Sequence, residues 1–295
     1  MKKTQAGNSC LLLLTAIVWG MAFVAQSAGM EHVGPFTFNS VRNIIGGLVL
    51  IPVILVIRKI NGEQRPFITK TELIGGICCG IALFAASSFQ QQGILYTTVG
   101  KAGFITALYV VIVPILGLFF KKRMSILTWG CVALSVVGLY LLCMTGDSLA
   151  LNRGDLMVLI CAVIFAVHIL IIDYFSPKGD GVMMSCIQFL TCGVLAGVGM
   201  LFEQPTMTRI LTAKWPILYA GVLSCGVGYT LQIVGQKGVN PTVASLILCL
   251  ESVVAVLAGW IFLDEMLSMR EFAGCVFMFV AIVLAQLPMP KTKNT

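Results

Sequence analysis

Charge is scarce in this chain, and so are the residues on which most catalytic and metal sites depend. Only 11% of the 295 residues are charged, two are histidine, and the 11 cysteines include no CxxC pair. A soluble protein of this length needs more charge to cover its surface. Zinc and iron–sulfur sites need closely spaced ligands, so we expect no metal, no cofactor and no disulfide framework. No GxxxxGK[ST] phosphate-binding loop occurs, which argues against direct ATP hydrolysis.

Long apolar runs, by contrast, recur along the whole chain, which is 58% hydrophobic with a mean hydropathy of +0.99. Each run is close to the ~20 residues that a helix needs to cross a ~30 Å hydrocarbon core. Because helices satisfy their own backbone groups in lipid, the sequence predicts an all-α polytopic membrane protein with ten transmembrane helices. The predicted spans are approximately residues 9–28, 35–57, 73–95, 102–120, 126–144, 155–173, 182–202, 213–235, 241–263 and 270–287.

The ten predicted spans repeat a five-span pattern, with a first domain at residues 9–144 and a second at 154–287. A unit with an odd number of spans must enter the bilayer upside down when it is repeated. The sequence therefore predicts two inverted five-helix repeats, the architecture that lets a transporter expose one site alternately to both sides of a membrane. The aligned positions include Trp19 with Phe165, Arg42 with Gln188, Gln92 with Gln232, and Val111 with Glu251.

Positive charge predicts the orientation. Most of the 19 lysines and arginines lie in segments on the same side of the membrane as the N-terminus. This distribution predicts that both termini are in the cytoplasm and that the protein lies in the inner or plasma membrane. These residues are scattered over short loops, so nucleic-acid binding is not expected. Lys2-Lys3 and the apolar run after them also match a cleavable signal peptide, but the first span's place in the repeat favours a retained helix. Monomer and weak homodimer both stay open.

Several short motifs, taken in order, resemble the drug/metabolite transporter superfamily in the form with two EamA-type domains. They are Ala16-Ile17-Val18-Trp19-Gly20, Val41-Arg42-Asn43 with Pro52, Gly103-Phe104-Ile105-Thr106-Ala107-Leu108-Tyr109 running to Pro114, and Leu250-Glu251 followed by Asp264-Glu265. The resemblance covers nearly the whole chain. It implies ten helices, cytoplasmic termini and a central cavity lined mainly by spans one to four and six to nine.

Glu251 is the main candidate for chemistry within the membrane. Counted from Asn240, it lies ~16 Å along the ninth span, close to the bilayer midplane. An ionisable group at that depth costs several kcal/mol unless it faces a cavity or a partner. Two interpretations follow: proton coupling or contact with a cationic substrate group, and a permanently paired or protonated glutamate that fixes helix packing.

Arg42 is the second charged candidate, ~10 Å below the outer boundary by the same helical rise. It is expected to line the cavity and attract a carboxylate, to pair with Glu251, or to extend toward the outer interface. Amides, aromatic rings and an imidazole complete the set of cavity candidates: Gln92, Gln188, Gln232, Trp19, Tyr109 and, for proton coupling, His168. Interhelical hydrogen bonding and core packing are the alternatives for these six. Pro114 predicts a kink in the fourth span.

Taken together, the sequence predicts a secondary transporter, an exporter of small polar metabolites such as amino acids or their analogues. Its expected partners are a small-molecule substrate, the lipid bilayer and protons. An uncoupled facilitator or importer is the first alternative. A lipid-modifying membrane enzyme is the second, and it lacks the interfacial histidine, aspartate and cysteine clusters that such enzymes use.

Overall fold

Helices make up all the secondary structure that the computed structural model describes, in residues 2–62, 66–97, 99–119, 125–143, 152–262 and 268–286. This confirms the all-α prediction. The helices are α1 (Lys2–Met30), α2 (Pro35–Asn61), α3 (Lys70–Ile94), α4 (Val99–Ala107), α5 (Tyr109–Phe119), α6 (Ile126–Cys143), α7 (Arg153–Phe175), α8 (Gly181–Glu203), α9 (Met207–Thr212), α10 (Lys214–Leu218), α11 (Thr230–Gln236), α12 (Pro241–Leu248), α13 (Leu250–Phe262) and α14 (Met269–Gln286). A 3₁₀ turn (Ser176–Lys178) follows α7, and a π-helical stretch (Tyr219–Tyr229) joins α10 to α11.

Seven helical segments of the described ranges are long and apolar enough to cross a membrane, and three shorter apolar helices coincide with the other predicted spans. The protein is therefore a multi-pass membrane protein, while the count of ten spans stays a prediction. The predicted span ends at 120, 144, 263 and 287 and the motif residues 264–265 lie outside the described residues. Large apolar side chains such as Leu55, Ile81 and Val194 point outward, as they do in helices that face lipid.

Local signals in the sequence set most helix ends. Pro35 opens α2 at a position where its missing N–H costs nothing, and Gly62 closes α2 in the left-handed conformation with φ 61°. Capping boxes start two other helices: Thr69 with Glu72 for α3, and Asn152 with Asp155 for α7. These caps fix where the helices begin, and the connections before α3 and α7 are accordingly defined by the sequence.

The fourth and ninth spans are each interrupted near their middle. The first interruption lies at Leu108, between α4 and α5, rather than at Pro114, which is inside α5. The second lies at Cys249, between α12 and α13. The two interruptions pack against each other, and the Cys249 thiol donates to the Ala107 carbonyl oxygen at 3.6 Å. Leu108 and Cys249 are not helix breakers, so tertiary packing must account for the interruptions.

Helices α2 and α8 pack antiparallel through a reciprocal contact. The Ser40 hydroxyl of α2 donates to the Gly193 carbonyl of α8 at 3.0 Å, and the Cys186 thiol of α8 donates to the Gly47 carbonyl of α2 at 3.4 Å. Ser40 and Cys186 stand at the same distance before the aligned Arg42 and Gln188. The two helices therefore present equivalent residues to each other, as subunits do in an isologous interface.

Glycine makes this close approach possible. A Cβ atom at Gly47 would lie 2.8 Å from the Leu190 side chain, and one at Gly193 would lie 2.8 Å from the Ile44 side chain. Small residues at such contacts are typical of membrane helices, which associate mainly by close packing. Elsewhere α3 packs along α7, α1 packs along the segment that ends in α11, and α6 packs against α14.

Candidate functional site

A cavity lies between the interrupted spans and α1, α2, α3 and α7. The volume not filled by atoms is ≈ 510 Å³, but the centre of a water molecule can occupy only ≈ 40 Å³ of it. That is room for about three water molecules at 10–15 Å³ each. The residues that line it are Trp19, Ala22, Phe23, Gln26, Arg42, Gln90, Thr106, Tyr109, Phe165, Ile169, Ser224, Tyr229, Gln232, Leu248 and Glu251.

Glu251 lies in the first turn of α13, directly after the interruption at Cys249, and is 4% exposed. Free backbone N–H groups at the start of a helix favour a carboxylate there. The Tyr109 hydroxyl donates to Glu251 Oε1 at 3.1 Å. Tyr109 is itself the first residue after the other interruption. The two broken spans thus bring a phenol and a carboxyl group together in the cavity wall.

Arg42 lies on α2 and is also 4% exposed. Its Nη1 donates to Gln26 Oε1 of α1 at 3.1 Å, its guanidinium lies 5.4 Å from the centroid of the Phe38 ring, and its Nε has no partner. Among the described residues no carboxylate forms an ion pair with Arg42, so it is not paired with Glu251. A buried guanidinium without a counterion retains the capacity to bind an anionic group from a ligand.

Of the three candidate glutamines, only Gln232 lines the cavity, and its Oε1 is buried without a partner. Gln92 instead lines a separate groove between α2, α3 and α8. Gln188 is enclosed and bonded through Oε1 to His168 Nε2 at 2.8 Å. On α3 it is Gln90 that reaches the cavity, where its Nε2 donates to the Thr106 hydroxyl at 3.3 Å.

Aromatic rings form part of the cavity wall, among them Trp19, Phe165 and Tyr229. Trp19 stands 4.3 Å from Tyr229, centroid to centroid, and its indole N–H donates to the Ser224 carbonyl at 3.4 Å. His168 packs edge-on against Tyr229, with centroids 6.1 Å apart. It is fully buried and does not line the cavity.

A model of the EamA-like transporter family matches the chain twice, over residues 8–144 and 152–287. The chain belongs to the EamA-like transporter family. This confirms the resemblance found in the sequence motifs. An EamA-like chain with these apolar helices is a membrane transporter, and the two relatives described next carry transporter names.

The relatives of this EamA-like transporter match it over most of their length. An uncharacterized transporter of Archaeoglobus fulgidus is 29% identical over 277 residues, which are 94% of this chain and 84% of that protein. The uncharacterized inner membrane transporter YedA of Escherichia coli strain K12 is 23% identical over 287 residues, 92% of this chain and 88% of that protein. A crystal structure at 17% identity superposes with a TM-score of 0.79 over 96% of this chain and 97% of its own, which shows the shared fold.

Several residues that line the cavity of this EamA-like transporter were not predicted from the sequence. Gln26 went unnoticed because it stands between small residues near the end of the first span. Gln90 was missed because the sequence alignment paired Gln92 with Gln232. In the structure it is Gln90, two residues earlier, that reaches the cavity together with Gln232. The same shift brings Tyr109, rather than Val111, next to Glu251. Three consecutive glutamines give no hydrophobic signal that could fix the register.

Proposed function

We propose that this protein is a secondary transporter that exports small zwitterionic metabolites, amino acids or their analogues, by alternating access. The observation that carries the proposal is that one cavity is lined both by Glu251, which accepts a bond from Tyr109, and by the guanidinium of Arg42, which forms no ion pair with a carboxylate of the described residues. We call Glu251 with Tyr109 the acidic pole and Arg42 the cationic pole. An ammonium group would bind near Glu251 and a carboxylate near Arg42. Gln90 and Gln232 supply amides that can donate to or accept from either group.

The proposed transporter has ten membrane-spanning helices in two inverted five-helix domains, residues 9–144 and 154–287. The reciprocal contact of α2 with α8 supports it, and a second reciprocal contact does so independently. Gly93 packs onto Val158 and the Gly154 carbonyl, while Gly235 packs onto Leu12 and the Asn8 carbonyl, in equivalent order. Such pairs arise where the two halves are related by an axis in the membrane plane.

The size of the cavity supports alternating access over an open pore. The volume that water centres can occupy, ≈ 40 Å³, is too small for a metabolite, so the helices must separate before a substrate enters. Because the charged groups are 4% exposed, the conformation described is closed around them. Ligand binding would then have to shift the population toward an open state.

Proton coupling is assigned to Glu251 in this proposal. Among the described residues Glu251 has no ion-pair partner, so no permanent salt bridge competes with a proton or an ammonium group. His168, the other candidate, does not line the cavity, and its Nδ1 has no partner. The distribution of lysine and arginine supports cytoplasmic termini for this transporter.

The test is a thermal-shift screen of the purified protein, followed by uptake into liposomes. A ligand that binds only the native state at ~100 times its Kd adds about 2.7 kcal/mol to the free energy of unfolding. We expect stabilisation by free amino acids, and less by their methyl esters or N-acetyl derivatives, each of which lacks one charge. Equal stabilisation by all three forms would contradict the two-pole arrangement, and transport of none would contradict the function.

A further inference from the structure

The third spans of the two halves, α3 and the segment Lys214–Gln236, can be compared residue by residue through the contacts that they make. A Cβ atom at Gly80 of α3 would lie 2.7 Å from the Gln188 carbonyl oxygen, and one at Gly221 would lie 2.9 Å from the Arg42 carbonyl oxygen. Gln188 of α8 and Arg42 of α2 stand at aligned positions. Gly80 and Gly221 are therefore equivalent.

A second pair of glycines marks the other end of the comparison. Gly93 packs onto the Gly154 carbonyl of α7, and Gly235 packs onto the Asn8 carbonyl of α1, which stands at the position aligned with Gly154. Between the two contacts the first half has 13 residue steps, from 80 to 93, and the second half has 14, from 221 to 235. The second half thus has one extra residue between equivalent contacts.

The π-helical stretch absorbs this extra residue. An α-helix turns about 100° per residue, so an added residue would rotate everything after it by that angle. A π-helix has i→i+5 hydrogen bonds and therefore turns less per residue. The stretch Tyr219–Tyr229 covers most of the interval that holds the extra residue, whereas α3 is α-helical from Lys70 to Ile94. Gln232 consequently reaches the cavity as Gln90 does.

The slower winding also makes this part of the span wider, since more residues share each turn. Ser224, Tyr229 and Gln232 line the cavity from this span, whereas α3 contributes Gln90 to the lining residues. The Tyr229 ring lies 4.3 Å from the Trp19 ring, centroid to centroid, and the Ser224 carbonyl oxygen accepts the Trp19 N–H at 3.4 Å. The wide turn therefore contacts Trp19 at two positions.

The equivalent place in the first half lacks these contacts. Phe165 is aligned with Trp19, and a phenyl ring has no N–H to donate. In the register of the second glycine pair, Ser87 of α3 corresponds to Tyr229, and its hydroxyl donates within α3 to the Phe84 carbonyl at 3.4 Å. The aromatic wall beside Trp19 is thus a feature of the half that has the extra residue.

Glycine lets α1 lie directly against the wide turn. A Cβ atom at Gly228 would lie 2.7 Å from Trp19 Nε1, and the Thr15 hydroxyl donates to the Gly228 carbonyl at 3.1 Å. Trp19 is held between α1 and the π-helical stretch, so the width of the stretch decides where its ring lies.

We propose that the extra residue in Tyr219–Tyr229 sets the width of the cavity beside Trp19 and so limits the size of the substrate's side chain. Without that residue the span would be a regular α-helix like α3, its wall would stand farther from Trp19, and the cavity would accept a longer side chain. The inference rests on the proposed transport function for the substrate, but not for the width.

The first test is deletion of Val227, which lies inside the stretch, is 40% exposed and does not line the cavity. Ser224 and Tyr229 would then stand four residues apart, about one turn of an α-helix, and both glycine contacts would keep their register. We expect this variant to melt near the temperature of the parent protein.

Deletion of Ile81, which is 52% exposed and lies in the equivalent interval of α3, is the matched control. Because α3 has no extra residue, this deletion turns the rest of the helix about 100° out of its contacts, so the variant should melt far lower or fail to fold. If deletion of Val227 were as damaging as deletion of Ile81, the residue would not be extra and the proposal would be overturned.

The width of the cavity is read from the fluorescence of Trp19, with the other three tryptophans replaced by phenylalanine. In the Val227 deletion the indole loses its acceptor and its neighbouring ring, so its emission should shift to longer wavelength and acrylamide should quench it more strongly. A folded deletion variant with the emission and quenching of the parent protein would also overturn the proposal.

The size of the substrate is read by thermal shift with alanine, 2-aminobutyrate, norvaline and norleucine, which share both charged groups and differ by one methylene or two. One methylene in an apolar pocket changes discrimination roughly 10- to 200-fold. We expect the deletion variant to favour a side chain at least one methylene longer than the parent protein does. An unchanged preference would reject the role in size selection. If no member stabilised either protein, the proposed function would fail, and the melting and fluorescence results would still decide whether the extra residue sets the width.

Discussion

Arg42 of α2 and Gln188 of α8 stand at aligned positions of the two halves, yet their side chains have different surroundings. The backbone around them is matched, since Ser40 and Cys186 make equivalent bonds across the same interface. Arg42 nevertheless lines the cavity without an ion pair to any carboxylate of the described residues, whereas Gln188 is enclosed and bonded to His168. The matched backbone places the two positions equivalently in the α2–α8 interface, and the difference in sequence decides which of them presents a charge.

Tyr109 and Glu251 extend this comparison to the interrupted spans. Each is at or near the start of the helix that follows an interruption, and the two side chains bond to each other. One half supplies a neutral donor and the other an acidic acceptor. A cavity with unlike poles can therefore be made from similar halves, and the following experiments test how far that similarity and that difference extend.

The largest expected effect is all-or-none and tests whether the two halves are inverted copies of one fold. If the halves are inverted, reporter fusions at Thr295 should give an intracellular signal and fusions near Asn152 an extracellular one. A fusion at Asn61, after the second span, is the control and should be intracellular. An extracellular C-terminus would end the comparison, because the halves would then not be related by inversion.

Removing the acidic pole should affect transport more than any other change in the cavity. Glu251→Gln keeps the shape and a hydrogen bond from Tyr109 but removes the charge and its titration. We expect transport to fall roughly 10- to 100-fold, the equivalent of one charged hydrogen bond, and its pH dependence to disappear, with a nearly unchanged melting temperature.

Glu203→Gln is the matched control for the acidic pole. Glu203 accepts bonds from the backbone N–H groups of Phe36 and Thr37 at the start of α2, away from the cavity. This change should lower the melting temperature and leave the pH dependence of transport intact. Normal transport across pH in Glu251→Gln would make Glu251 a packing residue.

The cationic pole is tested by making the first half resemble the second. Arg42→Gln places in α2 the residue that α8 has at the aligned position, and it can still bond to Gln26. We expect the apparent affinity for a substrate with a free carboxylate to fall about 10-fold, since a charge-assisted bond becomes a neutral one. The affinity for the methyl ester of the same substrate should change little. Equal losses for both would show that Arg42 does not contact the carboxylate.

Tyr109→Phe should have a smaller effect, because it removes one neutral donor from Glu251 and leaves the ring in place. A roughly threefold to tenfold fall in transport is expected, and the pH profile should move, since the hydroxyl bonds to the titrating group. Measuring rate against pH separates this from simple damage to packing. An unchanged profile with a lower rate would mean that Tyr109 only fills space.

The sequence predicted the helices and the family well, and the details of the cavity less well. Apolar runs and capping residues such as Pro35 and Thr69 report directly on helices and their ends. The interruptions at Leu108 and Cys249 were not predicted because neither residue disfavours a helix, and the contact that accompanies them joins distant parts of the chain. The same holds for Gln90, since only tertiary contacts tell which of three adjacent glutamines faces inward.

The smallest expected effect on transport, and the sharpest test of the matched scaffold, comes from the glycines of the α2–α8 interface. Gly47→Ala and Gly193→Ala each insert a methyl group 2.8 Å from a side chain of the other helix. Such overpacking costs about 1–3 kcal/mol in well-packed contacts, so both variants should melt earlier, and by similar amounts.

Gly197→Ala is the control on the same helix. The nearest atom to its added Cβ would be the Ser40 hydroxyl oxygen at 3.4 Å, an ordinary distance, and alanine also favours a helix over glycine. Its melting temperature should therefore stay level or rise. The melting temperatures of Gly47→Ala and Gly193→Ala should differ from each other less than either differs from that of Gly197→Ala. If they differed as much, the two contacts would contribute unequally to stability, although they are reciprocal in geometry. If both variants lost a similar amount of thermal stability and kept the same substrate preference, the two halves would be alike in helix packing and different only in the residues that line the cavity.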